Sequence, residues 1–570
     1  MKSEKKKIFD VMIILVLALL LAIRLRYGFD QTDESHYYAL AKRFCQGDIP
    51  FIDEWHPSQF FAILLCPFYY VYSVMVPGAE GVILAGRYTY LVIQVVTCLF
   101  ILWSFRSKKY NLLLSIIYFM CARQNIPGLS YYNLFMTFCV VAVVAILDYL
   151  SAERKNSFFV VVAGVSISAA TVCMPFLAIG VAVLLIFLLI KKEYKILLPF
   201  TGSIFVCASL YVFFLLSRAS FSDYFEAQKY VMSSPDHMAL VSTDKVLGTI
   251  FSIGKVCILG IPGFVYLMTR FFYVIKVKKQ EGNTAVFFDN RDKMIYLLTL
   301  LLCVISFGIN KPGAIYIQIT VLSFPYVLNK CVFFRRTNNG DERKGIILYF
   351  VGIVMAFLFW LGSNTEASCL LLGLIISVFA VVILMFEEFC FEKNKLLLFS
   401  ISITVAVVFV RIMGPCYRDA RLWELDTIIC EGPAKGIYTE EEDAKNYYEV
   451  LEMISFIENS CTQLETKVLF TRFLPWGYLV CNLRNGSMTT WETPICGKRL
   501  IQYYNVNTSK FPDVVIILDS KIGSAYGYNS GGMMNAYNDL DGEIWDKIKN
   551  CYVYESGAGT VYYTRRLKKT

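Results

Sequence analysis

Charged side chains are scarce in this chain. Asp, Glu, Lys and Arg make up 17% of its 570 residues, whereas about 25% is usual in soluble globular proteins. Hydrophobic residues make up 57% of the sequence, above the usual range of about 45–50%. So large an apolar fraction exceeds what a water-soluble core needs, and the composition therefore excludes an ordinary soluble protein.

Histidine is also scarce, and common signatures of nucleotide and zinc binding are missing. The three histidines are His36, His56 and His237. The C-terminal part contains no P-loop and no GxGxxG motif, and the cysteine spacings match no zinc pattern. The net charge of +9 does not indicate nucleic acid as a partner, because Lys and Arg cluster in short loops between apolar runs, as topology signals do.

Long apolar runs dominate the first two thirds of the chain. A run of about 20 apolar residues can cross the roughly 30 Å hydrocarbon layer of a bilayer as a helix. We predict a transmembrane domain over residues 1–413 with about 13 crossings, followed by a soluble domain over residues 414–570 of ordinary polar composition. The apolar cores are 9–23, 84–105, 112–122, 134–149, 158–173, 176–190, 196–216, 249–275, 295–307, 315–334, 346–361, 369–386 and 396–413.

Basic clusters predict the side of the membrane for each loop. Residues 2–7 are Lys-rich, and no small-x-small cleavage site follows, so the first crossing is predicted to be an uncleaved signal anchor with a cytoplasmic N-terminus. If the apolar stretch 60–76 also crossed, every later basic cluster would lie outside. We therefore predict that 60–76 is a juxtamembrane helix at the outer surface. The later clusters are 106–109, 154–155, 191–195, 276–279, 335–344 and 393–395.

This topology makes the protein a multi-pass plasma-membrane protein with an extracytoplasmic C-terminal domain. In that domain, residues 440–458 have helical spacing, and 468–470, 514–518 and 561–563 have the composition of strands. The intervening stretch is rich in Gly, Asn, Ser and Tyr and is predicted to be loop. The domain is predicted to be a small α/β fold. Its six cysteines would permit up to three disulfides, with the pairing open.

The first outer loop, residues 24–81, carries an unusual group of polar residues. Thr32 is predicted to cap a helix that begins at Asp33, where an acidic residue suits the positive end of the helix dipole. Apolar residues recur at spacings of three and four from Tyr37 onward, which predicts an amphipathic helix lying along the membrane. Asp33 would then be either a solvated cap or a functional carboxylate just above the first crossing.

The loop resembles one particular family. It has Asp-Glu-x-x-Tyr at residues 33–37 just after the first crossing, then a juxtamembrane helix, Gly-Asp at 47–48 and a basic residue before proline at 56–57. This pattern resembles the GT-C membrane glycosyltransferases, and within them the protein O-mannosyltransferase and lipid A aminoarabinose transferase group. The resemblance implies a GT-C-like fold and transfer of a sugar from a polyprenyl-phosphate donor outside the membrane.

The resemblance also implies roles for single residues. Asp33 matches the acid that these enzymes use as catalytic base, and Glu34 is its companion in the catalytic motif. Tyr37 matches an aromatic residue that orients the loop. His36 stands where some relatives carry a phosphate-binding Arg, and His56 stands where they carry Lys, so both are candidates for binding the donor phosphate.

Two lysines are further candidates for the donor phosphate, Lys255 and Lys311. Lys255 lies inside an apolar segment, where a cation usually faces a cavity or a partner; the alternative is that it extends to the membrane surface. The second outer loop, residues 128–133, has no carboxylate. We therefore expect a single-base mechanism rather than a two-carboxylate metal site. No metal ligand is assigned, and a divalent cation stays open as a cofactor.

The leading hypothesis is an inverting glycosyltransferase, a hexosyl- or pentosyltransferase. Its partners would be the polyprenyl-phosphate sugar, the lipid bilayer and an extracytoplasmic glycan, lipid or protein acceptor. The alternative is a transporter or flippase of envelope precursors, although the sequence shows no matched halves of the kind transporters usually have. A non-catalytic assembly or sensor protein would leave the Asp33-Glu34 motif without a purpose.

Overall fold

The computed structural model describes most of the chain. The described residues are 2–151, 155–232, 241–281, 288–303, 313–333, 340–363, 367–389, 392–461, 465–471, 474–491, 497–518, 542–549, 551–556 and 558–564. Two residues singled out from the sequence, His237 and Lys311, lie outside these ranges.

Helices make up most of the described structure. In chain order they are α1 (Lys2–Arg24), α2 (Asp33–Cys45), α3 (Ala62–Met75), α4 (Val82–Ser104), α5 (Asn111–Met120), α6 (Tyr131–Ser151), α7 (Ser157–Cys173), α8 (Leu177–Ile190), α9 (Tyr194–Leu216), α10 (Phe221–Met232), α11 (Thr243–Cys257), α12 (Ile261–Glu281), α13 (Asn290–Cys303), α14 (Ala314–Phe333), α15 (Gly340–Leu361), α16 (Leu371–Phe389), α17 (Lys393–Met413), α18 (Glu441–Ser460), α19 (Pro475–Val480), α20 (Gly497–Val506) and α21 (Gly542–Ile548).

Each predicted apolar segment forms a helix. The segment at 249–275 differs from the prediction, because a short 3-10 turn at Ile258–Gly260 divides it into α11 and α12. Among the described residues, nine helices are long and apolar enough to cross a membrane, and α5, α7 and α8 are shorter apolar helices. The chain is therefore a polytopic helical membrane protein with a small C-terminal sheet region.

Several of the predicted basic segments meet at one end of the helical bundle. There, lysines near helix ends or in a loop contact acidic or amide side chains of other segments, which ties the helix ends together. The contacts join Lys6 with Asn111, Lys108 with Asp341, Lys330 with Glu342, Lys293 with Glu392, and Lys395 with Asn290. This shared end is the one that the sequence assigns to the cytoplasm.

The opposite end of the bundle joins the first outer loop to the C-terminal domain. Arg24, at the end of α1, donates hydrogen bonds to the carbonyls of Ile412 and Gly414 at the end of α17. Asn125, just after α5, donates to the carbonyl of Pro415 at 2.9 Å. The ends of α1, α5 and α17 therefore lie together, as the predicted alternation of crossings requires.

The contacts on either side of α3 show that the chain returns to this same end. Arg87, in the second turn of α4, donates to the carbonyls of Leu25 and Gly28 at 2.6 and 2.7 Å. By length and composition Pro57–Met75 is among the helices that could cross a membrane. However, a crossing by α3 would carry the start of α4 away from the end of α1. The contacts therefore agree with a juxtamembrane helix.

The C-terminal domain is α/β, as predicted. Strands β1 (Thr427–Ile428) and β2 (Tyr438–Thr439) form a two-stranded antiparallel sheet. A second sheet has the order β4-β3-β5-β7-β6, with β3 parallel to β4 and β5 and the other pairs antiparallel. Its strands are β3 (Lys467–Thr471), β4 (Arg484–Asn485), β5 (Val514–Leu518), β6 (Tyr552–Ser556) and β7 (Gly559–Tyr563).

The details of this domain correct two sequence-based expectations. The predicted helix corresponds to α18, and the three predicted strands correspond to β3, β5 and β7. The stretch predicted to be loop contains α19 and α20, whose apolar residues pack into the hydrophobic core. The five described cysteines of the domain are free thiols, so no disulfide joins any two of them.

Reporter fusions test the predicted topology. Green fluorescent protein fused after residue 107, between α4 and α5, should fluoresce, because that loop is predicted to be cytoplasmic. Alkaline phosphatase fused after residue 570 should be active outside the cytoplasm. The reciprocal fusions serve as controls and should be silent. Reversed signals at both positions would show that α3 crosses the membrane.

Candidate functional site

Helix α2 begins at the site, and Asp30 fixes its first turn. The Asp30 carboxylate accepts hydrogen bonds from the backbone N–H groups of Thr32 and Glu34 at 3.0 and 2.8 Å, and from the Thr32 hydroxyl at 2.7 Å. Thr32 stands at the N-cap position but its side chain makes no capping bond. The predicted cap is therefore corrected: Asp30, two residues earlier, satisfies the N–H groups that begin the helix.

Asp33 lies at the mouth of α2 and is partly exposed. Its Oδ2 accepts a hydrogen bond from the hydroxyl of Tyr417 at 2.5 Å and lies 3.8 Å from the Arg418 guanidinium. Both neighbours belong to the segment that follows α17, so the C-terminal domain begins by completing this site. Among the described residues both contacts fall on Oδ2, which leaves Oδ1 for a further hydrogen bond.

Glu34 has a different environment from the one expected of a catalytic residue. Its carboxylate is fully buried and is bound by Arg87, with Nε at 3.0 and 3.1 Å from the two oxygens and Nη2 at 2.6 Å from Oε2. The same guanidinium reaches the carbonyls of Leu25 and Gly28. This geometry assigns Glu34 a positioning role: it fastens the first turn of α2 to α4 and to the end of α1.

His36 cannot serve as the cation that the resemblance suggested for this position. It is buried, its Nδ1 lies 2.9 Å from the Thr490 hydroxyl and its Nε2 lies 3.1 Å from the Ser58 hydroxyl. Burial lowers the pKa of His36 to about 3, so the ring is neutral at physiological pH. His56 packs edge-on against His36 at 5.4 Å, and its Nδ1 contacts the same Ser58 hydroxyl at 2.6 Å. Both rings pack against Trp491 and so join the first outer loop to the C-terminal domain.

Aromatic rings form a wall beside Asp33. Tyr37 packs edge-on against Phe61 and Tyr131, with ring centroids 5.1 and 5.8 Å apart. Its hydroxyl is buried and has no hydrogen-bond partner among the described residues. Burial, with the nearby Asp33 carboxylate, raises the pKa of Tyr37 well above its usual value. Tyr37 is therefore a neutral phenol that can offer a proton to a bound group.

Arg123, just after α5, supplies a buried cation that the sequence reasoning missed. Its guanidinium carbon lies 3.7 Å from the centre of the Tyr132 ring, and the side chain is 3% exposed. Its Nε has no hydrogen-bond partner among the described residues, and Asp33 lies within electrostatic range. A sequence signal existed, because an arginine directly after an apolar run on the predicted outer side departs from the positive-inside rule.

An apolar cavity of about 450 Å³ lies between α11, α14, α15 and the start of α16. Phe359, next to Trp360 in the cavity wall, packs against Phe135 and Tyr132 with ring centroids 4.8 and 5.9 Å apart. Helix α15 therefore contributes both to the cavity lining, through Trp360, and to the aromatic wall beside Arg123, through Phe359. Side chains lining the cavity include Val246, Ile253, Ile317, Tyr349, Trp360 and Leu374.

The other predicted lysines do not join this group. Lys255 lies on α11 and is exposed, so the alternative of a side chain extending from the helix surface replaces that of a cavity-facing cation. Lys311 lies outside the described residues. Within the described ranges, no group of three or more His, Cys, Asp or Glu residues is arranged to hold a metal ion. A divalent cation therefore stays an open expectation.

The C-terminal domain contributes more than Tyr417 and Arg418. Trp491 packs against His36 with centroids 5.0 Å apart, and the Arg418 guanidinium lies 6.0 Å from the Trp491 ring. A buried ionic network holds the domain in place, because Arg43 of α2 binds Asp48 at 2.6 Å, and Lys510 of the domain binds the same carboxylate at 2.6 Å. Shielding from water strengthens the attraction between these charges but also costs solvation, so the network is most sensitive to loss of one partner, which would leave the other charge buried and unpaired.

Comparison with known proteins gives a structural match but no match to a family model or to a curated protein. No protein-family model and no curated protein matches the sequence. Among solved structures, the crystal structure of ArnT from Cupriavidus metallidurans bound to undecaprenyl phosphate is similar, with 9% identity, a TM-score of 0.43 and 98% of each chain covered. At this TM-score the likeness carries no residue roles to this chain.

Removing one partner of the Glu34–Arg87 pair should destabilise the protein strongly. Arg87→Leu leaves a carboxylate buried without its counter-charge, which costs about 3–5 kcal/mol. The combined variant Glu34→Leu, Arg87→Leu should recover part of that loss, because an apolar pair can replace a buried ion pair. Thermal unfolding of the purified protein in detergent measures both effects. The pairing would be contradicted if the loss of stability in the combined variant equals the sum of the losses in Arg87→Leu and Glu34→Leu measured separately.

Asp30 should make stability depend on pH. Burial, with the nearby Asp33 charge, raises the pKa of Asp30 from 3.8 to about 7. Between those values the folded protein holds a proton that the unfolded chain has lost, so stability should fall as pH rises through that window. Asp30→Asn should flatten the slope of Tm against pH. Glu441→Gln, at an exposed acid of α18, should leave the slope unchanged; an unchanged slope in Asp30→Asn would refute this assignment.

Proposed function

We propose that the protein is an inverting glycosyltransferase that moves a sugar from a polyprenyl-phosphate donor to an extracytoplasmic acceptor. The observation that carries this proposal is one juxtaposition. A partly exposed carboxylate, Asp33, lies within electrostatic range of the buried cation Arg123, and helix α15, which packs on Tyr132 beside Arg123, also lines an apolar cavity. A lipid-linked sugar phosphate needs these three environments, for the acceptor hydroxyl, the phosphate and the lipid chain respectively.

The apolar cavity suits the isoprenoid chain of the donor. Its lining is almost wholly hydrocarbon and aromatic, so burial of a hydrocarbon chain there is favoured by about 25 cal/mol per Å² of apolar surface. Because Trp360 lines the cavity and Phe359 packs on Tyr132, a chain in the cavity would place its phosphate toward Arg123.

Arg123 is the proposed phosphate-binding residue. An arginine guanidinium remains charged and presents several donors to phosphate oxygens. Stacking on Tyr132 holds its plane in one orientation, and the Nε lacks a protein partner among the described residues. The neutral Tyr37 phenol can donate a further hydrogen bond. In a low-dielectric site these donors stabilise the negative charge that develops as the phosphate leaves.

Asp33 is the proposed base. It would accept the proton of the acceptor hydroxyl as the oxygen attacks the anomeric carbon, while the bond to the phosphate oxygen breaks on the opposite face. A single displacement of this kind inverts the anomeric centre. Tyr417 and Arg418 hold Oδ2, which orients Oδ1 toward the acceptor.

The start of the C-terminal domain is the proposed acceptor side of the site. Arg418 and Trp491 lie together next to Asp33 and His36. An aromatic ring beside a cation can contact both the apolar face and the hydroxyl groups of a sugar. An extracytoplasmic glycan is therefore the favoured acceptor over a lipid or a protein. The same arrangement suits either a hexose or a pentose as the transferred sugar.

The transporter hypothesis loses one of the two features that favoured it, the other being the number of crossings. It drew on Lys255 as a cation inside an apolar segment, and Lys255 is exposed on α11 rather than directed into the bundle. The polar residues around Asp33 gather at the outer end of the bundle, which suits chemistry at the membrane surface.

The Asp33→Asn variant tests the proposed function. Transfer from a radiolabelled polyprenyl-phosphate sugar pool to cell-envelope fractions should fall on the order of 100- to 10,000-fold, the usual contribution of a general base. Donor binding should persist, since Arg123 and the cavity are unchanged. Glu441→Gln is the matched control and should transfer normally, because it removes an exposed acid at the start of α18 in the C-terminal domain.

Membrane abundance and Tm must match between the variants, so that lost transfer reflects chemistry rather than folding. If Asp33→Asn transfers sugar as well as the wild type does, Asp33 has only a structural role at the start of α2, and the proposed mechanism is wrong. Wild-type membranes that transfer no sugar from any polyprenyl-phosphate donor would overturn the proposed activity itself.

A further inference from the structure

Two cysteines of the first outer loop lie against each other. Cys45 is the last residue of α2, and Cys66 lies in the second turn of α3. The Cys45 thiol donates a hydrogen bond to the Cys66 carbonyl oxygen at 3.7 Å, and the Cys66 thiol donates to the Ala62 carbonyl oxygen at 3.4 Å. Neither thiol has a part in the proposed transfer.

The surroundings of the pair favour reaction. Cys45 is exposed and Cys66 is partly exposed, so a reagent can approach from outside the fold. Arg218, which follows α9, acts electrostatically on both thiols. A nearby guanidinium stabilises a thiolate, which is the reactive form of cysteine.

The same contacts distinguish the two thiols. The neighbouring Cys66 side chain lowers the pKa of the Cys45 thiol; partial burial opposes this shift and Arg218 adds to it. The more exposed thiol is therefore also the one that ionises more readily. Pairs of this kind, with an accessible thiolate and a neighbouring second thiol, are typical of cysteines that exchange disulfides.

We propose that Cys45 and Cys66 form a reversible disulfide that clamps the end of α2 to α3. The inference rests on the predicted extracytoplasmic placement of residues 24–81, where disulfides persist, and not on the proposed transfer.

The reaction needs an external disulfide, R–S–S–R, as the oxidant. The Cys45 thiolate attacks one of its sulfurs, which forms a mixed disulfide and releases one RS⁻. The Cys66 thiolate then attacks the Cys45 sulfur, which forms the Cys45–Cys66 bond and releases the second RS⁻. The two protons of the original thiols pass to the released thiolates, so two electrons reduce R–S–S–R to two RSH.

The clamp would act on the helix that carries Asp33. Just beyond Cys45 the chain enters the buried network in which Arg43 and Lys510 share Asp48. At its other end α2 is fixed by Glu34 and Arg87. A disulfide at Cys45 would therefore fasten α2 to α3 as well, and would restrain the loop between residues 45 and 66 in the unfolded chain.

Mass mapping of the full-length protein in membranes tests this proposal. Membranes are treated with oxidised glutathione, free thiols are blocked with a maleimide, and the protein is digested without reductant. We expect one linked peptide pair containing Cys45 and Cys66, lost on reduction, and a Tm several degrees higher for the oxidised than for the reduced protein.

Two variants sharpen the test. Cys45→Ser should abolish the linked peptide and the redox-dependent change in Tm. Cys430→Ser, which removes an exposed thiol of the C-terminal domain, should retain both. The proposal is overturned if glutathione leaves both thiols open to the maleimide, or if Cys45 links instead to a second chain. These readouts require no sugar transfer, so they are independent of the proposed function.

Discussion

The buried pair of Glu34 and Arg87 is the interaction on which the site depends. Arg87 binds both oxygens of Glu34 and the carbonyls of Leu25 and Gly28. One guanidinium therefore fixes the end of α1, the start of α4 and the first turn of α2. Since neither ion is exposed, the pair holds only if all three elements keep their geometry. The pair therefore fixes the position of the neighbouring residue, Asp33, above the helical bundle.

The sequence predicted the architecture well because the bilayer imposes simple rules. Apolar runs must form helices, and basic loops collect on one side. The six basic clusters were enough to predict that residues 60–76 do not cross, and the contacts of Arg87 agree with that. The rules say nothing of how loops pack on one another. The helices α19 and α20 were missed for this reason, since their apolar residues face a core made by distant segments, and those of α20 are interleaved with polar ones.

The site was predictable only in part. The motif at 33–37 identified the helix and the carboxylate, but residue spacing cannot tell a catalytic acid from one paired inside the protein. Glu34 and His36 are buried by partners 53 and 454 residues away, Arg87 and Thr490. Such pairings arise from tertiary packing and leave no local pattern. Arg123, Tyr417 and Arg418 come from two other segments, and the fold alone brings them to Asp33.

The arrangement also explains why a soluble domain follows the last membrane helix. Tyr417 and Arg418 lie within five residues of the end of α17 at Met413, and they contact Asp33 directly. The remainder of the domain is held against the first loop by the Arg43–Asp48–Lys510 network and by Trp55, which packs edge-on against Tyr503 of α20 at 5.1 Å. The first loop therefore forms the middle layer between membrane helices and soluble domain. Displacing the domain would remove both neighbours of Asp33 Oδ2, so the domain is part of the site and not an appendage.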